Sequence, residues 1–378
     1  MSSSAPRAPT ADRFAISAGT RLFTRLCHSY PGLWDRLERL ETASLGDRLN
    51  GIEIDKPVYV TGLARSGTTI LLELMAGLAE VATHRYRDFP PVWTPYLWNR
   101  FLELVPRPAA QPHERPHADG IEITPESPEA MEETLWMRFF PASHDPRRSN
   151  VLDRDTQNDA FAEFYRRHIR KLLLVRSRAR YVAKGNYNIA RLGYLHELFP
   201  DARFVVPVRH PVRHIASLMR QHRQFSEGQH AHPASRDYLR AVGHFEFGLD
   251  RAPINMGGTP AIPEVLAHWQ SGDEAAGWAA CWSHLYGALL DQLERDDRLR
   301  QAVLLVRYED LNVRPEDELR RILDHCSLHA DRSRLAEMAA RLREPDYYQR
   351  PFEPADERRI VQATAGTMSR YGYEVGKP

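Results

Sequence analysis

The chain has 378 residues, with 51 Lys and Arg against 50 Asp and Glu, so its formal net charge is only +1. That balance argues against general nucleic-acid binding, which draws on a strong basic excess. With 42% hydrophobic and 27% charged residues, the chain should fold as a globule, long enough for one large α/β domain with insertions or two small ones. Cys27, Cys281 and Cys326 are scattered with no CxxC pair, which suits neither a zinc knuckle nor a disulfide framework. No apolar run approaches the roughly 18–20 residues of a membrane span. The start, MSSSAPRAPTADRF, lacks a basic-then-apolar leader, so the expected location is the cytoplasm.

Residues 1–12, rich in Ser, Ala and Pro, read as a disordered N-terminus. Residues 13–49 carry apolar positions at helical spacing (Phe14, Ile16, Leu22, Phe23, Leu26, then Leu33, Trp34, Leu37, Leu40) split by Pro31-Gly32. They predict a helical appendage of two amphipathic helices. Packing on the main domain is the expectation; a peripheral membrane contact is the alternative. Residues 50–378 read as the main domain. Strands are expected near 57–61, 81–87, 180–184, 203–208 and 302–308. Helices are expected near 69–79, 158–175, 187–198, 211–222 and 276–295. Such alternation predicts a central parallel sheet flanked by helices, with ligands beyond the C-terminal strand ends. Residues 89–157 and 223–262 break the pattern and read as insertions, serving as lid, acceptor pocket or extra packing.

The most informative stretch is 56–78, KPVYVTGLARSGTTILLELMAGL. Val58, Tyr59 and Val60 suit a buried strand, Gly62 to Gly67 a tight loop, and Ile70 to Leu78 a buried helix. A strand, glycine-bracketed loop and helix make a phosphate cradle, because backbone N–H groups and the helix N-terminus converge on one anion. The stretch departs from a nucleotide-triphosphate loop at Thr68, which stands where that loop has Lys. Arg65 adds a planar fork for an oxyanion. A second stretch, 202–222, reads ARFVVPVRHPVRHIASLMRQH. Arg209 ends a strand, Pro211 suits the first helical position, and Ser217 lies about two turns further on. Arg209 and Ser217 can meet on one phosphate; a structural salt bridge and a solvent-facing Ser are the plainer alternative.

Together, R-S-G-T-T after an early strand and F-P-D-A-R-F-V-V-P-V-R-H-P followed by Ser217 resemble the sulfotransferases that use 3′-phosphoadenosine 5′-phosphosulfate (PAPS). The resemblance covers about residues 56–330. It implies the P-loop NTPase-like sulfotransferase fold, an α/β fold with a central parallel sheet. It implies that Arg65, Ser66, Gly67, Thr68 and Thr69 hold the 5′-phosphosulfate, and that Arg209 and Ser217 hold the 3′-phosphate. It implies no metal, which accounts for the missing Lys. His210 stands where many members have Asp. Lys184, in YVAKGNYN, matches the strand-end Lys that steadies the sulfuryl group, although the family commonly follows it with Ser or Thr and then Pro, not Gly185-Asn186. Tyr308, in RYEDL, matches a late segment beside the nucleotide, as a ligand or as plain architecture.

The general base is expected at the end of the second strand, in EVATHRYRDFPPVW. Asp88 is the first choice and His84 the rival; strand alternation puts His84, Tyr86 and Asp88 on one face. A turn cap is the bland reading of Asp88. His113, His117, His222, His230, His232 and His244 match no metal spacing. The Glu-rich run 122–133 reads as a solvated helix face; lining the cleft, it would repel an anionic acceptor. Phe89, Trp93, Tyr96, Trp98, Trp136, Phe139 and Phe140 read as an acceptor pocket or as core. Arg350 is a further candidate for the nucleotide. The expected reaction moves a sulfuryl group from PAPS to a hydroxyl of a sugar, lipid or other small molecule, leaving 3′-phosphoadenosine 5′-phosphate (PAP). A small-metabolite kinase and a non-catalytic nucleotide-binding protein are the alternatives.

Overall fold

Val58, Tyr59 and Val60 form the central strand, and all three are fully buried. A strand with no exposed face needs cover on both sides. The computed structural model, which describes residues 13–105, 111–115, 117, 121–258, 260–342 and 352–374, shows that cover. β1 (Val58–Val60), β2 (Val81–Ala82), β5 (Arg180–Lys184), β6 (Arg203–Val208) and β7 (Val303–Arg307) make a five-stranded sheet in the order β2-β5-β1-β6-β7. All its pairings are parallel. β3 (His113–Glu114) and β4 (Glu122–Ile123) form a separate antiparallel pair. Residues 1–12 and Arg350 lie outside the described residues, so neither expectation for them is addressed.

Alternation along the strands sorts side chains onto two layers. Tyr59, Ala183 and Phe204, neighbours in register, face the helices Asp159–Arg176 and Glu274–Arg295. Val58, Val60, Val182 and Val205 face the helices Thr68–Ala76 and Pro315–Cys326. Each fully buried Val, Leu or Phe contributes roughly 1.5–3 kcal/mol of transfer free energy, so the two layers hold the sheet rigidly under the loops at its C-terminal edge. The sequence changes direction beside β1: β5 lies on one side and β6 on the other. A crevice opens at such a point.

The strand expected at 81–87 stops at Ala82. The backbone N–H groups of Tyr86 and Arg87 bond to the carbonyls of Ser127 and Pro125, and Arg85 bridges to Pro128. With its partners drawn from the 121–129 segment, this backbone leaves the sheet and closes a 3₁₀ turn at Tyr86–Asp88. The helix expected at 187–198 is a 3₁₀ turn, Asn186–Ala190, followed by a helix, Leu192–Leu198. The helix expected at 211–222 runs on to Ala231, through Gly228.

The N-terminal segment folds as the helices Ala18–Ser29 and Pro31–Leu45, with Pro31 starting the second. They are tied to the sheet domain by buried groups. Lys171 Nζ lies 2.9 Å from both Glu38 Oε1 and Glu41 Oε2, and the rings of Phe14 and Phe225 meet edge-on at 5.0 Å. Gly228 makes the latter contact possible, because a Cβ there would fall 2.3 Å from the Phe14 ring. No described helix is long and apolar enough to cross a membrane.

Candidate active site

The loop after β1 takes a conformation that ordinary residues resist. Gly67 caps the helix Thr68–Ala76 with φ +107°, and Arg65, which has a Cβ, is held at φ +71°. A non-glycine residue in that region costs of order 1–3 kcal/mol and persists only where its surroundings impose it. The surroundings here are specific. Leu63 N–H donates to the Tyr286 hydroxyl at 3.3 Å. His214 Nε2 lies 2.8 Å from the Ala64 carbonyl. Burial pushes the His214 pKa down to about 3, so the ring is neutral and its Nε2–H is the donor. A Cβ on Gly67 would sit 2.7 Å from the Tyr308 ring. The loop is therefore clamped from the helices Pro211–Ala231 and Glu274–Arg295 and from the end of β7.

The β6 motif folds onto the same loop. Arg209 and Ser217 are both buried. Arg65 Nε donates to Ser217 Oγ at 3.2 Å across 152 residues of sequence. The Arg209 guanidinium stands 4.9 Å from the centre of the Tyr308 ring. Tyr308 thus lies against Gly67 and Arg209 together. Its neighbour Glu309 accepts the His210 N–H at 2.9 Å and the Tyr373 hydroxyl at 2.8 Å. Ser66 and Thr68 are buried, and Thr68 Oγ1 donates to Asn186 Oδ1 at 3.4 Å. The first N–H groups of a helix have no partner within it, so those after Gly67 are available to an anion.

Lys184, at the end of β5, is 3.9 Å from Glu129 Oε1. Both line a cleft of about 580 Å³ together with Arg65, Thr68, Thr69, Arg115 and Asn186. Tyr86 donates to Glu129 Oε2 at 2.5 Å. Burial alone would raise the Glu129 pKa, but the Lys184 and Arg115 charges and the Tyr86 hydroxyl pull it below the usual value. Among the described residues no group of three or more His, Cys, Asp and Glu is placed to hold a metal ion.

A family model described as the sulfotransferase family matches residues 57–252. The chain belongs to the sulfotransferase family. No curated protein matches it. Solved structures similar to this sulfotransferase chain include sulfotransferase STF1 from Mycobacterium tuberculosis, at 16% identity over 94% of this chain and 90% of that one, with a TM-score of 0.47. Sulfotransferase STF9 from Mycobacterium avium is 16% identical over 89% and 83% of the two chains, with a TM-score of 0.49.

For a sulfotransferase chain the placement of the base matters most, and here both expected residues lie away from the cleft. Asp88 is fully buried and makes a turn cap and ion pair. Asp88 Oδ2 accepts the Arg85 N–H at 2.9 Å. Asn99 Nδ2 donates to Oδ1 at 2.8 Å, and Arg176 Nη2 lies 2.7 Å from both oxygens. Burial would raise its pKa, but the His84 ring and the Arg176 charge pull it well below the carboxylate range. His84 is buried too, with Nδ1 3.3 Å from Asp88 and Nε2 2.9 Å from His168 Nε2. Neither side chain lines the cleft. The shortened β2 is the cause: once the chain turns at Tyr86–Asp88 strand alternation no longer holds, and Tyr86 reaches the cleft while His84 and Asp88 are buried away from it.

The Glu-rich run is not one solvated helix face either: Glu122 lies in β4, and of its carboxylates only Glu122 and Glu126 are exposed. Glu132 is buried, and Glu129, Glu132 and Glu133 all line the cleft. Of the aromatics, Phe89 and Trp136 line it. Trp93, Phe139 and Phe140 pack on Phe161 and Phe164, and Trp98 packs on Phe23. Sequence reasoning missed Glu129, Arg115, His214 and Tyr286. The run 122–133 did carry a signal: Glu129 is flanked by Pro128 and Ala130, a poor context for a solvated helix.

Proposed function

We propose that this chain is a PAPS-dependent sulfotransferase acting on an acceptor hydroxyl. The observation that carries the reading is the Arg65–Ser217 contact at 3.2 Å, with Thr68 in place of a phosphate-loop Lys. Two anion-binding motifs far apart in sequence share one site, as a donor with separate 5′ and 3′ phosphates requires. The donor set fits: the N–H groups and side chains of Arg65, Ser66, Gly67, Thr68 and Thr69 would hold the 5′-phosphosulfate. Arg209 and Ser217 would hold the 3′-phosphate, with Tyr308 buttressing Arg209 and the loop.

PAPS supplies an activated sulfuryl group, whose S–O bond to phosphate breaks as a new S–O bond forms to the acceptor oxygen. Glu129 takes the acceptor's proton. It is the carboxylate paired with Lys184 on the cleft lining, and engagement of Lys184 by the anionic donor relieves the charge that holds the Glu129 pKa down. Lys184 and Arg65 stabilise the charge left on the bridging oxygen of PAP. Fixed charges of this kind are worth about a hundredfold or more in turnover. The free, buried state of Cys27, Cys281 and Cys326 suits a cytoplasmic setting.

Calorimetry with PAP in the presence of EDTA tests the donor assignment. Binding without Mg²⁺, and weaker binding by Arg209→Ala, are expected. Binding of Mg·ATP in place of PAP would overturn the reading in favour of a kinase. PAP binding with no transfer of labelled sulfate to any acceptor would leave a nucleotide-binding protein without this chemistry.

A further inference from the structure

The cleft beyond the Lys184–Glu129 pair is large enough for a small molecule and is walled by apolar groups from separate parts of the chain. Phe14, Ile16 and Phe23 come from the N-terminal segment, Ile123 from β4, and Leu239 and Val242 from the end of the helix Pro233–Ala241 and the residue after it. At about 580 Å³ it falls in the range of sites that enclose small ligands. Most of its carboxylates are partnered within the chain, although Glu132 Oε2 and Glu246 Oε2 are buried without a hydrogen bond. Glu133 is held by Arg191 at 2.6 Å and His144 at 2.7 Å. Glu132 accepts the hydroxyls of Tyr165 at 2.7 Å and Tyr181 at 2.5 Å. Glu246 accepts from Asn186 at 2.8 Å and lies 3.4 Å from His244. Arg13 is paired with Glu114 at 3.0 Å.

These pairings decide between acceptor classes. An anionic acceptor meets Glu132, held by two hydroxyls, and Glu133, whose Arg191 is committed to it. A sugar brings several hydroxyls, each needing a partner once buried, to a cleft whose outer walls carry Phe14, Ile16, Phe23, Ile123, Leu239 and Val242. A neutral molecule with one hydroxyl and an apolar body needs only the Glu129–Lys184 end to be polar. We propose that the acceptor is a neutral, largely apolar alcohol or phenol, and that the segment Arg13–Phe23 forms the wall that recognises its body. The assignment rests on the sulfotransferase reading for the fate of the hydroxyl: its proton goes to Glu129, its oxygen gains the SO₃ group, and PAP leaves.

The test uses the full chain and a series of straight-chain primary alcohols, with glucose and gluconate as the polar and anionic controls. Binding is read by calorimetry with and without PAP, and transfer by labelled PAPS. Affinity should rise about fourfold per methylene until the cavity is filled. Ile16→Asp and Val242→Asp should flatten that rise while leaving PAP affinity unchanged. The series on the unaltered protein decides the question even where a variant does not fold. Affinity that is flat with chain length, or better binding and turnover of glucose or gluconate, would overturn the proposal while PAP binding upheld the donor. A chain-length trend without PAP binding would uphold the cavity's preference and sink the donor assignment instead.

Discussion

Replacing Asp88 by Asn separates a structural carboxylate from a catalytic one. Asp88 has 0% exposure and holds Arg176, whose side chain is itself only 3% exposed. The amide preserves shape but removes the charge, so the guanidinium is stranded in the interior. Breaking a buried pair from one side costs about 3–5 kcal/mol. For a chain of 378 residues, unfolding entropy amounts to about 0.8 kcal/mol per kelvin, so the melting temperature should fall by about 4–6 °C. Adding Arg176→Met removes the stranded charge, and the double variant should lose less stability than the two single variants together. The pH dependence sharpens the test. The folded pKa of Asp88 is depressed, so its contribution is complete above the unfolded value near 4 and is lost as pH falls below it. The gap in stability between parent and variant should therefore close in acid. Thermal melts across pH, with sulfate transfer measured per folded molecule, provide the readout. A variant that melts like the parent yet loses turnover by about 10²–10⁴-fold would refute the structural account and return Asp88 to the role of base.

The other predictions concern the cleft and the loop. Glu129→Gln should lower kcat by about 10²–10⁴-fold with PAP affinity kept; unchanged single-turnover rates would remove it from proton transfer. Gly67→Ala forces a Cβ to within 2.7 Å of Tyr308 at φ +107°, so it should weaken PAP binding and cost about 1–3 kcal/mol of stability, read by calorimetry and melting. His214 is buried neutral with a pKa pushed down to about 3. Its unfolded form binds a proton near pH 6.5, so stability rises with pH through this window, and lowering the pH from 7 to 5 should remove about 2 kcal/mol. Denaturant titrations of parent and His214→Gln should differ in that slope; parallel curves would exclude the group.

The loop after β1 and the end of β6 were legible because their signals are local. A loop that needs Gly67, a strand of three adjacent buried residues, and an Arg closing a second strand are written in contiguous runs, and the expected β5 and β6 have the ends found in the structure. The cleft beside them was not, because its lining comes from distant segments. Asp88 reads as the base where β2 continues to residue 87, but β2 ends at Ala82. The backbone partners of Tyr86 and Arg87 lie at residues 127 and 125, and no periodicity in 81–88 reveals that.

Glu129 illustrates the same limit. In sequence it is one of several carboxylates in an acidic run; only folding sets it beside Lys184 and leaves Glu132 and Glu133 to other partners. The wall of Phe14, Ile16 and Phe23 reads from the sequence as part of an amphipathic helical segment, yet the helix begins only at Ala18, and nothing in the sequence says what those side chains will cover. By itself the sequence determined the family, the alternating α/β order and the phosphate loop, because backbone geometry and short-range patterning encode those. Tertiary structure decided which carboxylate lies beside Lys184 and how polar the cleft is, because burial and charge pairing depend on neighbours distant in sequence.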